Sequence, residues 1–439
     1  MQARSEKYAK ILSTLIQAET ISVEKQMNKD KFYAFQELLK KTFPTLFSVA
    51  EFENYDGSFL LKVKGEEGKA PILLMNHQDV VEAKGRWTHP PFAGEIKDGK
   101  VWGRGTLDTK GGLFAMMQAA EELLASGETF PRDTYFVSTC TEEVGGEGGE
   151  KISEVLLERG LRFDFVLDEG GMIVHEPITG AKGAFAMIGV GEKGYADIKF
   201  IAKSAGGHAS TPPRNSPLVR LGKFMAAVEK RNLFQTEMSP TVCEMFARIA
   251  TSMKGGMKFV LGNAKFFKPV LVKVLPKMSS AANAMLKTTI AFTMAGGSDG
   301  TNVLPQEAWV MGNMRFSHHQ GRKSSIKTIA AFAKKFGIET KVVEAGLESP
   351  LSSYKSEAFA GIEEAIKAVY PKVVTTPYVM TGASDCRFMS RVSDNCLRFT
   401  PFLIDDKQLE SIHGIDENVD VATLTPAVDF YKYVLMEKK

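Results

Sequence analysis

Three short segments of the chain carry a histidine or carboxylates at the ends of apolar runs or in a glycine-rich turn. His77 and Asp79 follow one apolar run, Asp108 lies in the glycine-rich turn, and Glu142 and Glu143 follow a second apolar run. Imidazole and carboxylate groups are the ligands that zinc and related divalent cations take in hydrolytic sites. In open α/β sheets, ligands gather beyond the carboxyl ends of strands. The segments together therefore predict a hydrolytic metal centre with a spare carboxylate as base.

Each segment taken alone also has an ordinary structural explanation. His77 can be a buried histidine at a strand end, Asp108 can cap the helix that follows it, and the two glutamates can form a solvated acidic loop. In the functional interpretation, Asp79 receives the second ring N–H of His77, and Asp108 lies between two cations. Because neighbouring residues at a strand end point in different directions, one glutamate can ligate while the other faces a water molecule.

The apolar patterns predict the elements that must position these residues. Short strands are expected at residues 59–63, 71–75, 134–138 and 163–167, and a helix from Gly112 to about Ala125. Strands that alternate with helices indicate an α/β domain. From about residue 193 a β-α-β-β-α-β order is typical of a small two-layer domain. Because α/β patterning resumes after Pro350, this second unit is an insertion. Residues 253–287, rich in Met, Phe and Lys, form a helical excursion within it.

The bulk composition excludes several classes of protein. The 439 residues exceed one ordinary core, which favours two domains, and 44% hydrophobic with 24% charged residues is typical of a globular protein. A formal net charge of +3 gives no reason to expect a nucleic-acid partner. Four cysteines without a C-x-x-C pair fit a reduced, cytoplasmic protein. With no signal-like core and no apolar run of 18 residues, we expect no membrane association.

Nucleotide binding is the competing explanation for the many glycines. The stretch from Gly103 to Asp108 lacks the last glycine of G-x-G-x-x-G, and the stretch from Gly145 to Lys151 lacks the G-K-[ST] ending of a phosphate loop. The glutamates in the second stretch would also repel phosphate. A nucleotide-binding α/β protein is therefore a minor alternative.

Taken in order, the motifs resemble those of the M20 metallopeptidase family, which contains carboxypeptidases, aminoacylases and succinyl-diaminopimelate desuccinylase. The resemblance spans the chain and is strongest from residue 70 to 175. In that region the chain is most similar to the branch of vacuolar carboxypeptidase S and the secreted N-acyl-amino-acid hydrolases. The segments that carry it are Asn76-His77-Gln78-Asp79-Val80-Val81, Trp87-Thr88-His89-Pro90-Pro91-Phe92 and Trp102-Gly103-Arg104-Gly105-Thr106-Leu107-Asp108-Thr109-Lys110-Gly111.

The resemblance implies a fold as well as a site. We expect a zinc-exopeptidase-like catalytic domain, with a mixed sheet flanked by helices, at residues 1–192 and 347–439. The inserted two-layer α+β domain, ferredoxin-like and serving as lid and dimerisation domain, is expected at residues 193–346. A homodimer through this inserted domain follows from the same resemblance.

Carried over by position, the resemblance implies two Zn²⁺ ions per chain, with Mn²⁺ or Co²⁺ as substitutes. One ion would be held by His77, Asp108 and Asp168, and the other by Asp108, Glu143 and His413. Asp79 would orient His77, and Glu142 would be the general base. Asp168 and His413 could by themselves be ordinary surface residues.

The resemblance also implies substrate-binding residues, namely His208, Asn302, Arg315 and Arg387. His208 resembles a histidine that reaches a neighbouring subunit's site and steadies an oxyanion; its alternative is a loop histidine. Arg387 would hold a free carboxylate through two parallel hydrogen bonds, or form a salt bridge with Asp385. Ala383 stands where several relatives carry threonine, which removes one expected hydrogen bond.

The predicted function is a di-zinc hydrolase that cleaves an amide or peptide bond next to a free carboxylate. Carboxypeptidase or dipeptidase action is the first expectation, with a small peptide as substrate. The alternatives are an N-acyl-amino-acid deacylase that uses the same mechanism and a catalytically silent binding protein on the same scaffold. The 253–287 segment either lines a pocket for a hydrophobic acyl chain or packs on its own domain or a dimer surface.

Overall fold

A computed structural model describes residues 2–24 and 28–437 of the chain. Its helices are α1 (Gln2–Ile16), α2 (Asp30–Thr42), α3 (Pro44–Val49), α4 (Lys110–Ala125), α5 (Glu147–Glu158), α6 (Pro217–Lys230), α7 (Pro240–Ala250), α8 (Gly255–Gly262), α9 (Ala264–Met278), α10 (Ser280–Leu286), α11 (Gly321–Lys334), α12 (Glu357–Val369), α13 (Cys386–Met389), α14 (Asp406–Ser411) and α15 (Val421–Met436). Its strands are β1 (Glu51–Tyr55), β2 (Ser58–Val63), β3 (Ile72–Met75), β4 (Glu95–Lys97), β5 (Lys100–Trp102), β6 (Thr134–Ser138), β7 (Val166–Asp168), β8 (Ile173–His175), β9 (Ala184–Glu192), β10 (Gly194–Lys203), β11 (Gly207–His208), β12 (Thr289–Gly296), β13 (Val303–Leu304), β14 (Glu307–Phe316), β15 (Ile338–Ala345), β16 (Val374–Met380), β17 (Cys396–Arg398), β18 (Leu403–Ile404) and β19 (Asn418–Asp420).

A large mixed sheet forms the centre of the first unit. Its strand order is β1-β2-β6-β3-β7-β17-β9-β8-β18, with β16 paired to β9. The strands β6, β3, β7 and β17 run parallel to one another, so their carboxyl ends meet at one edge. Alternate residues of β3 face different cores, since Leu73 packs on the side of α5 and α13 while Leu74 packs with α4 and α15. Burial on both faces explains why these strands are continuous apolar runs rather than alternating ones.

A second, antiparallel sheet has the order β12-β14-β10-β15. Its inward residues, such as Phe200 and Val310, pack with Phe224 of α6 and Phe332 of α11 in a separate hydrophobic core. The chain order β10-α6-β12-β14-α11-β15 is the predicted two-layer arrangement, interrupted between α6 and β12 by four further helices. The expected fold class, an α/β catalytic domain with an inserted two-layer lid, is confirmed.

The segment between α6 and β12 is helical, as the sequence indicates, and forms α7 to α10. These helices share a third core with Phe185 of β9 and with Ala181 in the loop before it, and they contact β16 most closely through α7. The packing thus ties the excursion to the catalytic sheet as well as to its own domain.

Two of the expected elements begin at least two residues away from where the structure has them. The strand expected at 163–167 is β7, which begins only at Val166. The backbone N–H groups of Phe163 and Asp164 donate to the carbonyls of Val392 and Pro71, which lie outside the strand pairing. The helix expected from Gly112 begins at Lys110. Gly112 is required there, since a Cβ atom would lie 2.2 Å from the side-chain oxygen of Asn76.

Candidate active site

The predicted chemistry-bearing residues follow the parallel strands of the large sheet. His77 follows β3, Glu142 and Glu143 form a 3₁₀ turn after β6, and Asp168 is the last residue of β7. Because these strands are parallel neighbours, the side chains lie at the same edge of the sheet. Asp108 and His413 reach this edge from loops that come from distant parts of the chain.

Two histidines share the carboxylate of Asp108. The Nε2 atom of His77 lies 2.9 Å from Oδ1 of Asp108, and Nε2 of His413 lies 3.0 Å from Oδ2. His413 is also 3.1 Å from Oε2 of Glu143. Ligand atoms of His77, Asp108 and Glu143 all lie within 4.8 Å of one another. One carboxylate with an imidazole at each oxygen offers ligand atoms on both sides of Asp108.

Asp79 holds both the histidine and the glutamate turn. The Nδ1 atom of His77 donates to the backbone carbonyl of Asp79 at 2.8 Å, and the Asp79 carboxylate lies 3.4 Å away. The same carboxylate accepts the backbone N–H groups of Glu142 and Glu143 and the hydroxyl of Ser22. With Nδ1 donating, Nε2 of a neutral His77 carries the lone pair that would bind a cation beside Asp108.

The loop that carries Asp108 is held by a residue that the sequence analysis did not select. The buried carboxylate of Glu417 accepts the backbone N–H groups of Gly105, Leu107 and Asp108, and its Oε2 lies 2.7 Å from Nη1 of Arg104. Gly105 has a φ of 90°, a left-handed conformation that glycine adopts without strain. No local pattern marks Glu417, because its partners lie about three hundred residues earlier in the chain.

Asp168 and Glu169 have different environments. Both carboxylate oxygens of Asp168 accept backbone N–H groups, one from Glu169 and one from Cys386, at 2.9 Å each. Glu169 instead lines the open cavity with Asp108 and Glu143. Adjacent residues at a strand end point in different directions, as predicted for Glu142 and Glu143. The same rule, applied to Asp168 and Glu169, would have identified Glu169 as a candidate.

The electrostatics of the cluster favour bound cations. Burial opposes the charge of Asp108, yet hydrogen bonds from His413 and His77 hold the pKa of that carboxyl well below its usual range. Burial raises the pKa of Glu143 to about 7 and that of Glu142 and Glu169 well above the ordinary value. Among the described residues, Oε1 of Glu143 is buried without a hydrogen-bond partner. A dense set of half-buried carboxylates with a free oxygen and two imidazoles fits divalent cations.

A cavity of about 470 Å³ opens over the cluster. On the catalytic side it is lined by Glu142 and Arg387, whose Nη1 atom lies 4.0 Å from Oε1 of Glu142. On the lid side it is lined by Tyr195, Asn313 and Arg315. Nε of Arg315 donates to Asn313 at 3.1 Å, and its guanidinium lies 5.3 Å from the centre of the Tyr195 ring. The cavity lining contains no residue of the 253–287 segment.

The loop that carries Arg387 is supported by a buried ion pair. Arg398, at the end of β17, lies 3.0 Å from the carboxylate of Glu192 at the end of β9. Glu192 also accepts the backbone N–H of Ser384, and Arg398 donates to the Ser384 hydroxyl. Arg387 in turn donates to the carbonyls of Ser384 and Gly145. The pair therefore positions one wall of the cavity.

His208 and Asn302 lie away from the cavity of their own chain. His208 in β11 pairs with Val303 in β13, and the carbonyl of Asn302 accepts the N–H of Ala209. Both side chains are exposed on the lid. The structure thus brings these two residues together but does not place them with the other predicted site residues.

A lid over a cluster of residues that could hold divalent cations, on a large mixed sheet, is the architecture expected of a metallohydrolase. The profile of Peptidase family M20/M25/M40 matches residues 73–437, and the chain belongs to this family. It is 32% identical over 418 residues to the probable carboxypeptidase S-like 2 of Dictyostelium discoideum, and the alignment covers 92% of this chain and 79% of that protein. It is 30% identical over 425 residues to the human N-fatty-acyl-amino acid synthase/hydrolase PM20D1, and that alignment covers 94% of this chain and 83% of the human protein. The protein is therefore a hydrolytic enzyme.

Solved structures show the same fold. The M20 family metallo-carboxypeptidase Sso-CP2 from Sulfolobus solfataricus superposes with a TM-score of 0.71 over 98% of both chains, at 17% identity. The di-peptidase Dug1p from Saccharomyces cerevisiae gives a TM-score of 0.69 at 15% identity, covering 100% of this chain and 97% of the other. Among the described residues, no helix has the length and apolar character needed to cross a membrane.

Proposed function

We propose that the protein is a di-zinc amidohydrolase that removes a residue or an acyl group next to a free carboxylate. The observation that supports it best is the pair of histidines, one at each oxygen of Asp108, beside the half-buried Glu142. Bound cations would polarise the scissile carbonyl and lower the pKa of a water molecule to about 7. Mn²⁺ or Co²⁺ suits the same donors.

The proposed ligands are His77 and Asp108 for one ion, and Asp108, Glu143 and His413 for the other. For the remaining carboxylate of the first ion, the family resemblance implies Asp168. We favour Glu169, because both oxygens of Asp168 are engaged by backbone N–H groups whereas Glu169 lines the cavity. Metal analysis of Asp168→Asn and Glu169→Gln separates these assignments: loss of one ion per chain only in the Glu169 variant supports Glu169.

Glu142 is the proposed general base. Burial raises its pKa well above the ordinary value, which suits a carboxylate that must take up a proton from water and deliver it to a leaving nitrogen. Arg387, only 4% exposed, and Arg315 face the cavity from opposite domains. We propose that they hold the free carboxylate of the substrate, since a guanidinium binds a carboxylate through two hydrogen bonds.

Peptides are the first substrate class that we propose, because the cavity of about 470 Å³ suits a small peptide and the relatives include carboxypeptidases. An N-acyl amino acid is the second, because the PM20D1 relatives carry that activity in their name. Activity of the zinc-loaded protein on matched dipeptides and N-acyl amino acids decides between them. No turnover of any substrate in this panel would refute catalysis and favour a silent binding protein.

We also propose that His208 and Asn302 complete the site of a partner chain in a homodimer, which accounts for their exposure on the lid. Mixing inactive His208→Ala and Glu142→Gln chains tests this. Recovery of activity in the mixture is expected, because one site of each mixed dimer would contain both native residues. Absence of recovery in dimers shown to exchange chains would contradict the proposal.

A further inference from the structure

Helix α9 presents an unusual outer face. Two rows of residues at intervals of four are exposed along it, one apolar and one mostly lysine. The apolar row has exposed fractions of 80%, 56%, 44% and 65% at Phe266, Val270, Val274 and Met278. It extends for about 18 Å along the helix axis. The opposite face of α9 is the one that packs into the protein, through Ala264, Leu271 and Leu275.

The apolar row continues onto α8. Phe259, 64% exposed, lies 5.6 Å from the ring centre of Phe267, and Phe266 lies 5.1 Å from the same ring. Exposed apolar residues are common singly, but a contiguous row with aromatic residues at one end marks a contact surface. We call this surface the α9 stripe.

The charged residues within the segment that carries the α9 stripe are all of one sign. Residues 253–287 contain seven lysines and no aspartate or glutamate. Since the whole chain carries a formal charge of only +3, the rest of the chain is net negative. Among the ion pairs of the described residues, Lys265, Lys273 and Lys277 have no acidic partner, whereas Lys268 lies 3.5 Å from Glu237.

A cleft of about 600 Å³ lies beside the stripe. Its polar lining consists of lysine and amide side chains, namely Asn232, Gln235, Lys273, Lys277, Asn283 and Lys287. Among the described residues, no acidic side chain lines it. Such a lining suits an anionic head group, while the neighbouring row suits hydrocarbon.

We propose that the α9 stripe binds the surface of an anionic lipid bilayer. The apolar row would enter the boundary between head groups and acyl chains, as in interfacial helices with a lysine-rich flank. A second copy of this chain is the less favoured occupant, because two stripes placed face to face would oppose like charges with no acid to neutralise them. The prediction of no membrane association concerned long apolar segments, which adsorption to a bilayer surface does not require. The proposal concerns adsorption and does not depend on the reaction.

The test is cosedimentation of the full-length protein with vesicles of phosphatidylcholine alone or with one third phosphatidylserine. Binding only to the anionic vesicles, weakened by salt, is expected. Neutralising three lysines (Lys265→Gln, Lys273→Gln, Lys277→Gln) should lower the affinity by about a hundredfold, at about fivefold for each charge. The matched control neutralises three exposed lysines of α11, Lys323, Lys327 and Lys334, and should retain binding.

The apolar row is tested separately with Phe266→Ser and Val270→Ser in one chain. Its control is Leu218→Ser with Val219→Ser on α6, where the exposed fractions of 49% and 46% are comparable. Loss of vesicle binding in the first variant only supports the proposal. Absence of binding by the wild type, equal binding to neutral vesicles, or binding that survives in the α9 variants would overturn it. A dimer that dissociates in these variants without any vesicle binding would identify a second copy as the occupant and overturn it as well.

Discussion

Replacement of Arg398 by methionine should destabilise the protein strongly. The Arg398 side chain is 0% exposed and that of Glu192 is 3% exposed, with 3.0 Å between them. Methionine keeps most of the aliphatic volume but removes the charge, so the Glu192 carboxylate remains buried and keeps only its hydrogen bonds from Ser384. Breaking one side of such a pair costs about 3–5 kcal/mol. We expect a loss of this size in the free energy of unfolding.

The chain offers a matched control on its surface. Arg159 and Glu53 form a two-bonded pair at 2.6 and 2.7 Å, with side chains 42% and 37% exposed. Because water screens both groups, Arg159→Met should cost about 1 kcal/mol or less. The comparison therefore separates burial from hydrogen-bond geometry.

The assay is urea denaturation of the wild type, Arg398→Met, Glu192→Gln and the double variant. The double variant should be more stable than the sum of the single losses predicts, by about 2 kcal/mol or more, because neither charge is then left alone. A loss below 1 kcal/mol for Arg398→Met, or additive losses in the cycle, would refute the reasoning. Because the pair supports Ser384 and thereby Arg387, KM for a carboxylate-bearing substrate should rise as well.

Three further outcomes are expected. Glu142→Gln should retain the wild-type metal content and lose activity by about a hundredfold or more, and metal-loaded enzyme with full activity would exclude Glu142 as base. Glu417→Gln should cost about 3 kcal/mol and lower the metal content, since three N–H groups and Arg104 lose a charged acceptor; unchanged melting and metal content would contradict this. Burial lowers the pKa of Lys193 to about 7. Between pH 7 and 10 the unfolded chain therefore binds one more proton at this residue than the folded chain does. The contribution of Lys193 to the free energy of unfolding thus increases as pH rises. Compared with Lys193→Met, the wild type should gain about 1.4 kcal/mol per pH unit in that window, as measured by urea denaturation at several pH values, and parallel curves would disprove the assignment.

Local sequence was sufficient for much of the architecture. The runs that became β3 and β6 are apolar throughout because the sheet is covered on both faces, and the predicted strand at 134–138 has the bounds of β6. The lid was also predictable, because its strand and helix order follows local periodicity. The strand that became β7 was placed three residues early, since pairing across the sheet rather than residue preference decides where a ladder begins.

Some residues of the candidate site could be predicted from local sequence, and others could not. His77, Asp108 and Glu143 were selectable from residue type and position after strands, because those signals are local. The choice between Asp168 and Glu169 depends on which carboxylate accepts the N–H of Cys386, a residue far along the chain. Glu417, Glu192 and Arg398 left no local sign, since each is defined by partners brought together only by folding.

The sequence by itself determined which chemical groups are present and which segments are strands or helices, because both depend on residues near one another in the chain. Only the tertiary structure decided which carboxylates face the cavity, which are used by the backbone, and which apolar residues of α9 stay outside the core. The physical reason is that burial and hydrogen bonding of a side chain depend on its neighbours in space. For a chain whose site joins residues from 77 to 413, those neighbours come from distant parts of the sequence.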